Sequence, residues 1–211
     1  MTSSRDQILA RIRAANGAAS PDADAANAAY AAIPRDYLAA HHAQDIVALF
    51  AERAADYRAV VERVPAGDVA AAVQRALSEH GRYVIPDGLT PGWLPAGVET
   101  VADDPPLSPV SLDAVAGVIT GCAVAIAETG TIILDHGPGQ GRRALTLVPD
   151  FHLVIVRADQ VEPDLAGAVG RLDPARPHTL ISGPSATSDI ELIRVEGVHG
   201  PRTLHILLAG P

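Results

Sequence analysis

One stretch of the chain, Ala123 to Arg143, constrains the fold more than any other. It holds two uninterrupted apolar runs, Ala123 to Ala127 and Thr131 to Leu134, separated by the step Glu128-Thr129-Gly130. Strands that are buried on both faces have this pattern, because neither face leaves room for alternating polar residues. The stretch therefore predicts two buried strands with an acid and a glycine between them.

The composition limits the class of protein. The chain has 211 residues, of which 48% are hydrophobic, and this suffices for one domain with an appendage. Its net charge of -9 argues against a nucleic acid or an anionic membrane surface as the main partner. Cys122 is the only cysteine, so the chain forms no internal disulfide and no cysteine-ligated zinc or iron–sulfur site. With no apolar run of 18 residues and no signal peptide, we expect a cytoplasmic protein.

Helical periodicity dominates the first 80 residues. The pattern predicts a first helix from Ser3 or Ser4 to Gly17, an amphipathic helix from Gln44 to Val64, and a third helix from Asp68 to His80. We accordingly divide the chain into an N-terminal helical extension, residues 1–80, packed on or beside the core, and an α/β domain, residues 81–211.

Apolar runs and short helices alternate in the second part, which predicts an α/β sheet flanked by helices. Besides the two central strands, the sequence predicts short helices at 112–116 and 163–170 and strands at 83–85, 98–101, 150–156, 178–182, 193–195 and 203–208. Ligands of open α/β sheets bind beyond the carboxyl ends of the strands. Two loops, 135–143 and 183–191, follow apolar strands, and we expect them to share one edge.

The first of these loops is rich in glycine. Gly137-Pro-Gly-Gln-Gly141 precedes Arg142 and Arg143, so backbone N–H groups and two cations could bind a phosphate or carboxylate. The spacing fits neither a dinucleotide-binding fingerprint nor a Walker loop. The alternative is a plain connection with surface arginines.

The second loop, 183–191, concentrates hydroxyls and acids. Ser185, Thr187, Asp189 and Glu191 suit a sugar, a hydroxy acid or a hydrated divalent cation. Alternatively, Ser185 or Thr187 caps a helix or turn while Asp189 accepts from backbone donors.

Two residues are candidates for catalysis. Glu128 lies between buried strands, where desolvation would raise its pKa for nucleophilic or acid–base work; the alternative is a buried structural ion pair. His199, in the tight turn Gly197-Val-His-Gly-Pro201, could serve as acid, base or ligand, or only as a hydrogen-bonded turn residue. Thr129 and Gly130 are added as candidate ligand contacts, and Gly130 also suits a turn with positive φ. No metal-binding motif occurs, so we predict no metal site.

Several motifs, taken together and in order, resemble the LutC/YkgG family of LUD-domain proteins. They are Ser4–Arg13, Ile126–Thr131, the loop through Arg142 into Leu147-Val-Pro149 and His152, Gly183–Glu191, and Gly197–Pro201. The resemblance implies a NagB/RpiA/CoA-transferase-like α/β fold with a mixed or parallel sheet. It also implies a role in oxidising L-lactate to pyruvate together with iron–sulfur partner proteins, and no cofactor in this chain.

Three functions follow from these observations. The leading one is an accessory subunit of a lactate utilisation system that binds a small, lactate-like organic acid or organises its iron–sulfur partners. The rival is an enzyme in its own right, CoA-transferase-like or sugar-phosphate-processing, that uses Glu128, because the Glu-Thr-Gly step resembles the neighbourhood of the CoA-transferase glutamate. The third is a scaffold that docks its N-terminal helix onto partner subunits.

Overall fold

The computed structural model describes residues 3–15, 23–35, 45–77, 81–187, 195–197 and 199–211. The chain divides into two compact units, Met1–Leu38 and Ala39–Pro211. The first unit contains the helices α1, Ser4–Ala15, and α2, Ala23–Ala31. The predicted first helix is thus present as α1, and its predicted end at Gly17 lies outside the described residues.

In its described residues, the second unit contains four further α-helices: α3, Ile46–Asp56; α4, Val69–Ala76; α5, Pro109–Asp113; and α6, Leu165–Gly170. Side chains cap three of them at the N-terminus, Asp45 for α3, Ser108 for α5 and Asp164 for α6, each accepting hydrogen bonds from first-turn N–H groups. Within the described ranges, no helix is long and apolar enough to cross a membrane.

The strands run in chain order. They are β1, Val60–Pro65; β2, Arg82–Ile85; β3, Glu99–Ala102; β4, Gly117–Thr120; β5, Val124–Ile126; β6, Thr131–Leu134; β7, Phe151–Arg157; β8, Val161–Glu162; β9, Thr179–Ile181; β10, Ala186–Thr187; β11, Val195–Glu196; and β12, Thr203–Gly210. The sequence does not predict β1, β4, β8 or β10.

Three sheets result from these strands. Six strands form a central sheet in the order β1-β12-β7-β4-β2-β3, with every neighbouring pair parallel. Four form a mixed sheet in the order β8-β5-β6-β9, and β10 pairs with β11 as a short antiparallel ribbon. The predicted α/β fold with a mostly parallel sheet flanked by helices is confirmed.

The inner strands β4 and β7 of the central sheet are buried on both faces, as continuous apolar strands require. In β7, Val154 and Val156 pack in the cluster that contains residues of α3, β5 and β6. The alternating residues Leu153 and Ile155 pack in the cluster that contains residues of α4. Because successive side chains of a strand point to opposite faces, β7 anchors both halves of the core.

The helix predicted from Gln44 to Val64 is wrong in its second half. α3 ends at Asp56, Arg58 takes a positive φ of 68°, and the following residues form β1. Val60 pairs with His205 of β12, the first of six parallel partners along the strand. The valines of this segment fit a helical period, but the pairing with β12 decides the conformation.

The expectation that the loops 135–143 and 183–191 share one edge is also wrong. β6 and β9 are antiparallel, with Leu134 opposite Thr179 and Ile132 opposite Ile181. The loop after β6 therefore begins at one end of the mixed sheet, and the loop after β9 begins at the other.

Candidate functional site

A cavity of about 210 Å³ lies near the amino ends of β7 and β12. Its polar side chains come from four separate segments of the chain. They are Arg143, Thr146, His152, Ser182, Ser185 and His199, and the remaining lining includes Leu180, Ile181, Pro184, Pro201 and Leu204. All of these residues belong to the second compact unit.

Two predicted site residues, Ser185 and His199, meet at this cavity. The backbone N–H of Ser185 donates to the Pro201 carbonyl (2.9 Å), and the Gly197 N–H donates to the Ser185 carbonyl (2.9 Å). The Ser185 hydroxyl accepts from the His199 N–H (3.1 Å). These bonds close the base of the β10–β11 ribbon. The backbone of Thr187 belongs to β10, while Asp189 and Glu191 lie outside the described residues.

Arg143 supplies the positive charge of the cavity. Its guanidinium donates to the carbonyl (3.0 Å) and to the hydroxyl (3.1 Å) of Thr146. Among the described residues, no carboxylate forms an ion pair with Arg143. Burial lowers the pKa of the guanidinium, but arginine keeps its charge in proteins. The cavity therefore presents a cation that is held in place by neutral acceptors.

His152 forms part of the cavity wall from within β7. The side chain is only 1% exposed, and Nε2 forms a hydrogen bond with the Thr120 hydroxyl (2.8 Å). Burial, followed by the charge of Arg143, lowers the pKa of His152 to about 3. The ring is therefore neutral at physiological pH. Sequence reasoning gave His152 no role at a ligand site, although a histidine within a continuous apolar strand is a recognisable signal.

Arg142, predicted as a ligand contact, lies elsewhere. Its guanidinium donates to both carboxylate oxygens of Asp103 (2.6 and 2.9 Å) and to the Leu107 carbonyl (2.8 Å). The hydrogen bond from Arg142 lowers the pKa of Asp103. The arginine that lines the cavity is its neighbour in sequence, Arg143.

The N–H groups of the glycine-rich loop donate to acceptors within the protein itself. Asp135 Oδ1 accepts from the Gly137 N–H (3.0 Å) and from Gln140 Nε2 (2.6 Å), and the Gly139 N–H donates to the Asp87 carbonyl (2.6 Å). Arg176 forms an ion pair with Asp135 (3.0 Å). These N–H groups are therefore not available to an anion, and the loop serves as a connection.

Glu128 and Thr129 form an exposed turn between β5 and β6, so the prediction that Glu128 is buried is wrong. The Glu128 N–H donates to the Pro163 carbonyl (3.1 Å). A chain of hydroxyl hydrogen bonds leads from Thr129 to Thr131 (2.7 Å) and on to Ser182 (2.8 Å) at the cavity. Thr129 is thus connected to the cavity, whereas Glu128 is not among the residues that line it.

Gly130 has a packing role in this turn. Its φ is +61°, and a Cβ atom there would lie 2.4 Å from the backbone nitrogen of Ala54 in α3. Only glycine allows the turn to approach the helix this closely.

Another cavity, of about 370 Å³, lies at the opposite edge, near the carboxyl ends of β1 and β12. Asp45 and Arg63 are its charged lining residues. Since it contains no buried ionisable group and none of the predicted site residues, the smaller cavity is the better candidate. No three His, Cys, Asp or Glu side chains in the described ranges are grouped as a metal site requires. The absence of a metal stays a prediction.

Comparison with known proteins identifies the family of the domain that contains the cavity. A family model described as LUD domain matches residues 107–209, which include the whole cavity lining. A lactate utilization protein C from Deinococcus radiodurans is 48% identical over 170 residues, or 79% of this chain and 80% of that protein. The chain belongs to the LUD-domain family.

Two further proteins are similar to this chain. The uncharacterized protein YkgG of Escherichia coli is 37% identical over 84 residues, 36% of each chain. The crystal structure of a DUF162 family protein from D. radiodurans matches with a TM-score of 0.69 and 42% identity, over 79% of this chain and 97% of that one. The resemblance inferred from the sequence motifs is confirmed.

Proposed function

We propose that this LUD-domain protein is an accessory subunit of a lactate utilisation system, and that it binds a small organic acid in the cavity lined by Arg143. The name of its 48% identical relative, lactate utilization protein C, supports the pathway. The geometry of Arg143 supports the ligand class: its guanidinium lines a cavity, and among the described residues it has no carboxylate partner.

An anion is the natural ligand for such a group. The chain carries a net charge of -9, yet the described lining of the cavity contains one arginine and no acid. A guanidinium binds a carboxylate with two parallel hydrogen bonds, which are stronger than bonds between neutral groups. A small organic acid can supply that carboxylate.

The redox chemistry of the system would then reside in iron–sulfur partner proteins, with no cofactor in this chain. Cys122 supports this division of labour, because metal clusters bind thiolates. The Cys122 side chain is 6% exposed, and burial raises the pKa of its thiol to about 12. A buried, protonated thiol is a core side chain. We place the protein in the cytoplasm together with these partners.

Calorimetric titration with L-lactate and pyruvate tests the binding site. Arg143→Ala should weaken binding of either acid about 10- to 100-fold, since a charged hydrogen bond contributes on the order of 1.5–3 kcal/mol. Arg142→Ala is the matched control, because this neighbouring arginine is already paired with Asp103. The proposal fails if neither acid binds, or if both variants retain wild-type affinity.

Association with partners needs a separate measurement. Purified iron–sulfur proteins of a lactate utilisation system should co-elute with the full chain in size-exclusion chromatography. If none of these proteins associates at concentrations of tens of micromolar, the proposed association with partners is refuted. The proposed binding of an organic acid is then judged by calorimetry alone.

A further inference from the structure

The ligand class of the cavity can be narrowed further, on the basis of the proposed function. Its volume, about 210 Å³, lies below the range of roughly 300–1,000 Å³ that is typical of drug-sized ligands. A metabolite of a few carbon atoms fits this space better than a nucleotide or a coenzyme does.

The charged groups of the cavity indicate a ligand with one carboxylate. Arg143 is the one arginine or lysine that lines it within the described ranges, and the neighbouring wall contains Ile181, Pro201 and Leu204. A second carboxylate would find no second arginine or lysine in this described lining to offset the hydration that it loses on binding. A dicarboxylate is therefore a poor ligand.

His152 supplies the remaining selectivity. A neutral imidazole has one donor and one acceptor nitrogen. Nε2 is engaged with the hydroxyl of Thr120, which leaves Nδ1 without a hydrogen-bond partner among the described residues. Arg143 and His152 line the same cavity. A ligand whose carboxylate binds Arg143 can therefore place a nearby oxygen against His152.

We propose that the cavity selects short monocarboxylates with an oxygen on the second carbon, with Arg143 holding the carboxylate and the neutral ring of His152 hydrogen-bonded to that oxygen. Thr120 acts as a positioning residue, since its hydroxyl fixes the orientation of the ring. A 2-hydroxy group, which both donates and accepts, can pair with either tautomer of His152.

Three ligands, titrated calorimetrically at pH 8, test this selectivity. L-Lactate carries the 2-oxygen, propionate lacks it, and L-malate adds a second carboxylate. We expect propionate to bind about three- to tenfold more weakly than L-lactate, the effect of one hydrogen bond of ordinary strength. L-Malate should bind at least tenfold more weakly. Equal affinities for L-lactate and either of the other acids would overturn the proposal.

Variants test the role of His152 directly. His152→Phe should bind L-lactate and propionate with the same affinity, and Thr120→Val, a change of similar volume, should reduce the ratio of the two affinities severalfold. Thr179→Val is the matched control, because Thr179 bonds to a different histidine, His136 (3.0 Å). It should keep the wild-type ratio, and circular dichroism establishes that each variant is folded.

The outcomes separate the two proposals. If no acid binds the wild-type protein, the proposed function itself fails. If acids bind at Arg143 without discrimination, or if folded His152→Phe still prefers L-lactate, the function stands and the selectivity is refuted. The wild-type ligand series decides the matter even if both His152 and Thr120 variants fail to fold.

Discussion

Two adjacent arginines end in regions of opposite character. The guanidinium of Arg142 donates to acceptors of the protein itself, the carboxylate of Asp103 and the carbonyl of Leu107. Arg143 faces a cavity, where the described residues offer it only the neutral acceptors of Thr146. The first region is complete without a ligand, whereas the second leaves a charge for something else to neutralise.

The difference shows where to look for function in this chain. Polar groups that satisfy one another, such as those around Asp135 in the glycine-rich loop, stabilise a conformation. A charged group that lines a cavity and donates only to neutral acceptors, as Arg143 does among the described residues, can still bind an anion. The same residue type serves in both regions, so the surroundings rather than the residue decide its role.

The largest expected effect is a loss of stability when Gly130, in the turn that packs against α3, is substituted. Gly130→Ala adds a Cβ atom 2.4 Å from the nitrogen of Ala54 at a backbone φ of +61°. We expect the free energy of unfolding to fall by roughly 3 kcal/mol or more, because overpacking and backbone strain add. Urea denaturation measures the change. Gly92→Ala, with positive φ but nothing within 4 Å, is the control for the packing part.

The next largest effect should be a loss of stability in acid, caused by the buried ring of His152 in the cavity wall. Above pH 6.5 the His152 ring is neutral in both the folded and the unfolded chain, so its contribution does not vary. Below pH 6.5 the unfolded chain gains a proton that the folded chain, with a pKa of about 3 for His152, does not bind. Stability is therefore lost as pH falls, by about 2 kcal/mol between pH 6.5 and 5.

Urea denaturation at pH 7 and pH 5 measures this loss, and folded His152→Phe should show a smaller one. Burial also lowers the pKa of His205, which adds a loss in the same direction. Wild-type protein that is equally stable at both pH values would contradict a buried neutral ring.

A smaller loss of stability is expected when Arg142 is substituted. Arg142→Ala leaves Asp103, whose side chain is 11% exposed, without its bidentate partner. We expect a loss of about 1–2 kcal/mol in the free energy of unfolding. Arg202→Ala breaks the ion pair with Asp150, in which both side chains are more than half exposed, and should change stability less. If Arg142→Ala were neutral for stability and abolished acid binding, the contrast between the two regions would be reversed.

The smallest effect is expected at Glu128. Its carboxylate belongs to an exposed turn outside the cavity lining, so Glu128→Gln should change the affinity for L-lactate less than twofold in calorimetry. Loss of binding, or trapping of a covalent acyl intermediate on Glu128, would instead favour the rival enzymatic function.

The strands were predictable where burial alone determines them. β5, β6, β7 and β12 are continuous apolar runs, and such runs have few alternatives. The segment of β1 was not predictable, since its valines fit a helix that continues α3, and only the distant pairing with β12 decides against it. The short β4, Gly117–Thr120, lies between turn residues and is likewise fixed by its neighbours β2 and β7.

The site was predictable only in part, for the same reason. Ser185 and His199 stand out because both lie in turn-rich segments that return to each other. The choice between Arg142 and Arg143 depends on Asp103, 39 residues away in sequence from Arg142. A local pattern shows that a cation is present, but only the fold shows which cation already has a partner.

The pairing of β1 with β12 also has a consequence during synthesis on the ribosome. β12, the neighbour of β1 in the central sheet, is made roughly 140 residues after β1. At ordinary elongation rates the delay is on the order of ten seconds. Until β12 is made, β1 and, once it has been made, β7 lack their shared neighbour and expose unpaired strand edges. The central sheet therefore cannot be completed before β12 is made, and until then its unpaired edges are open to wrong pairing.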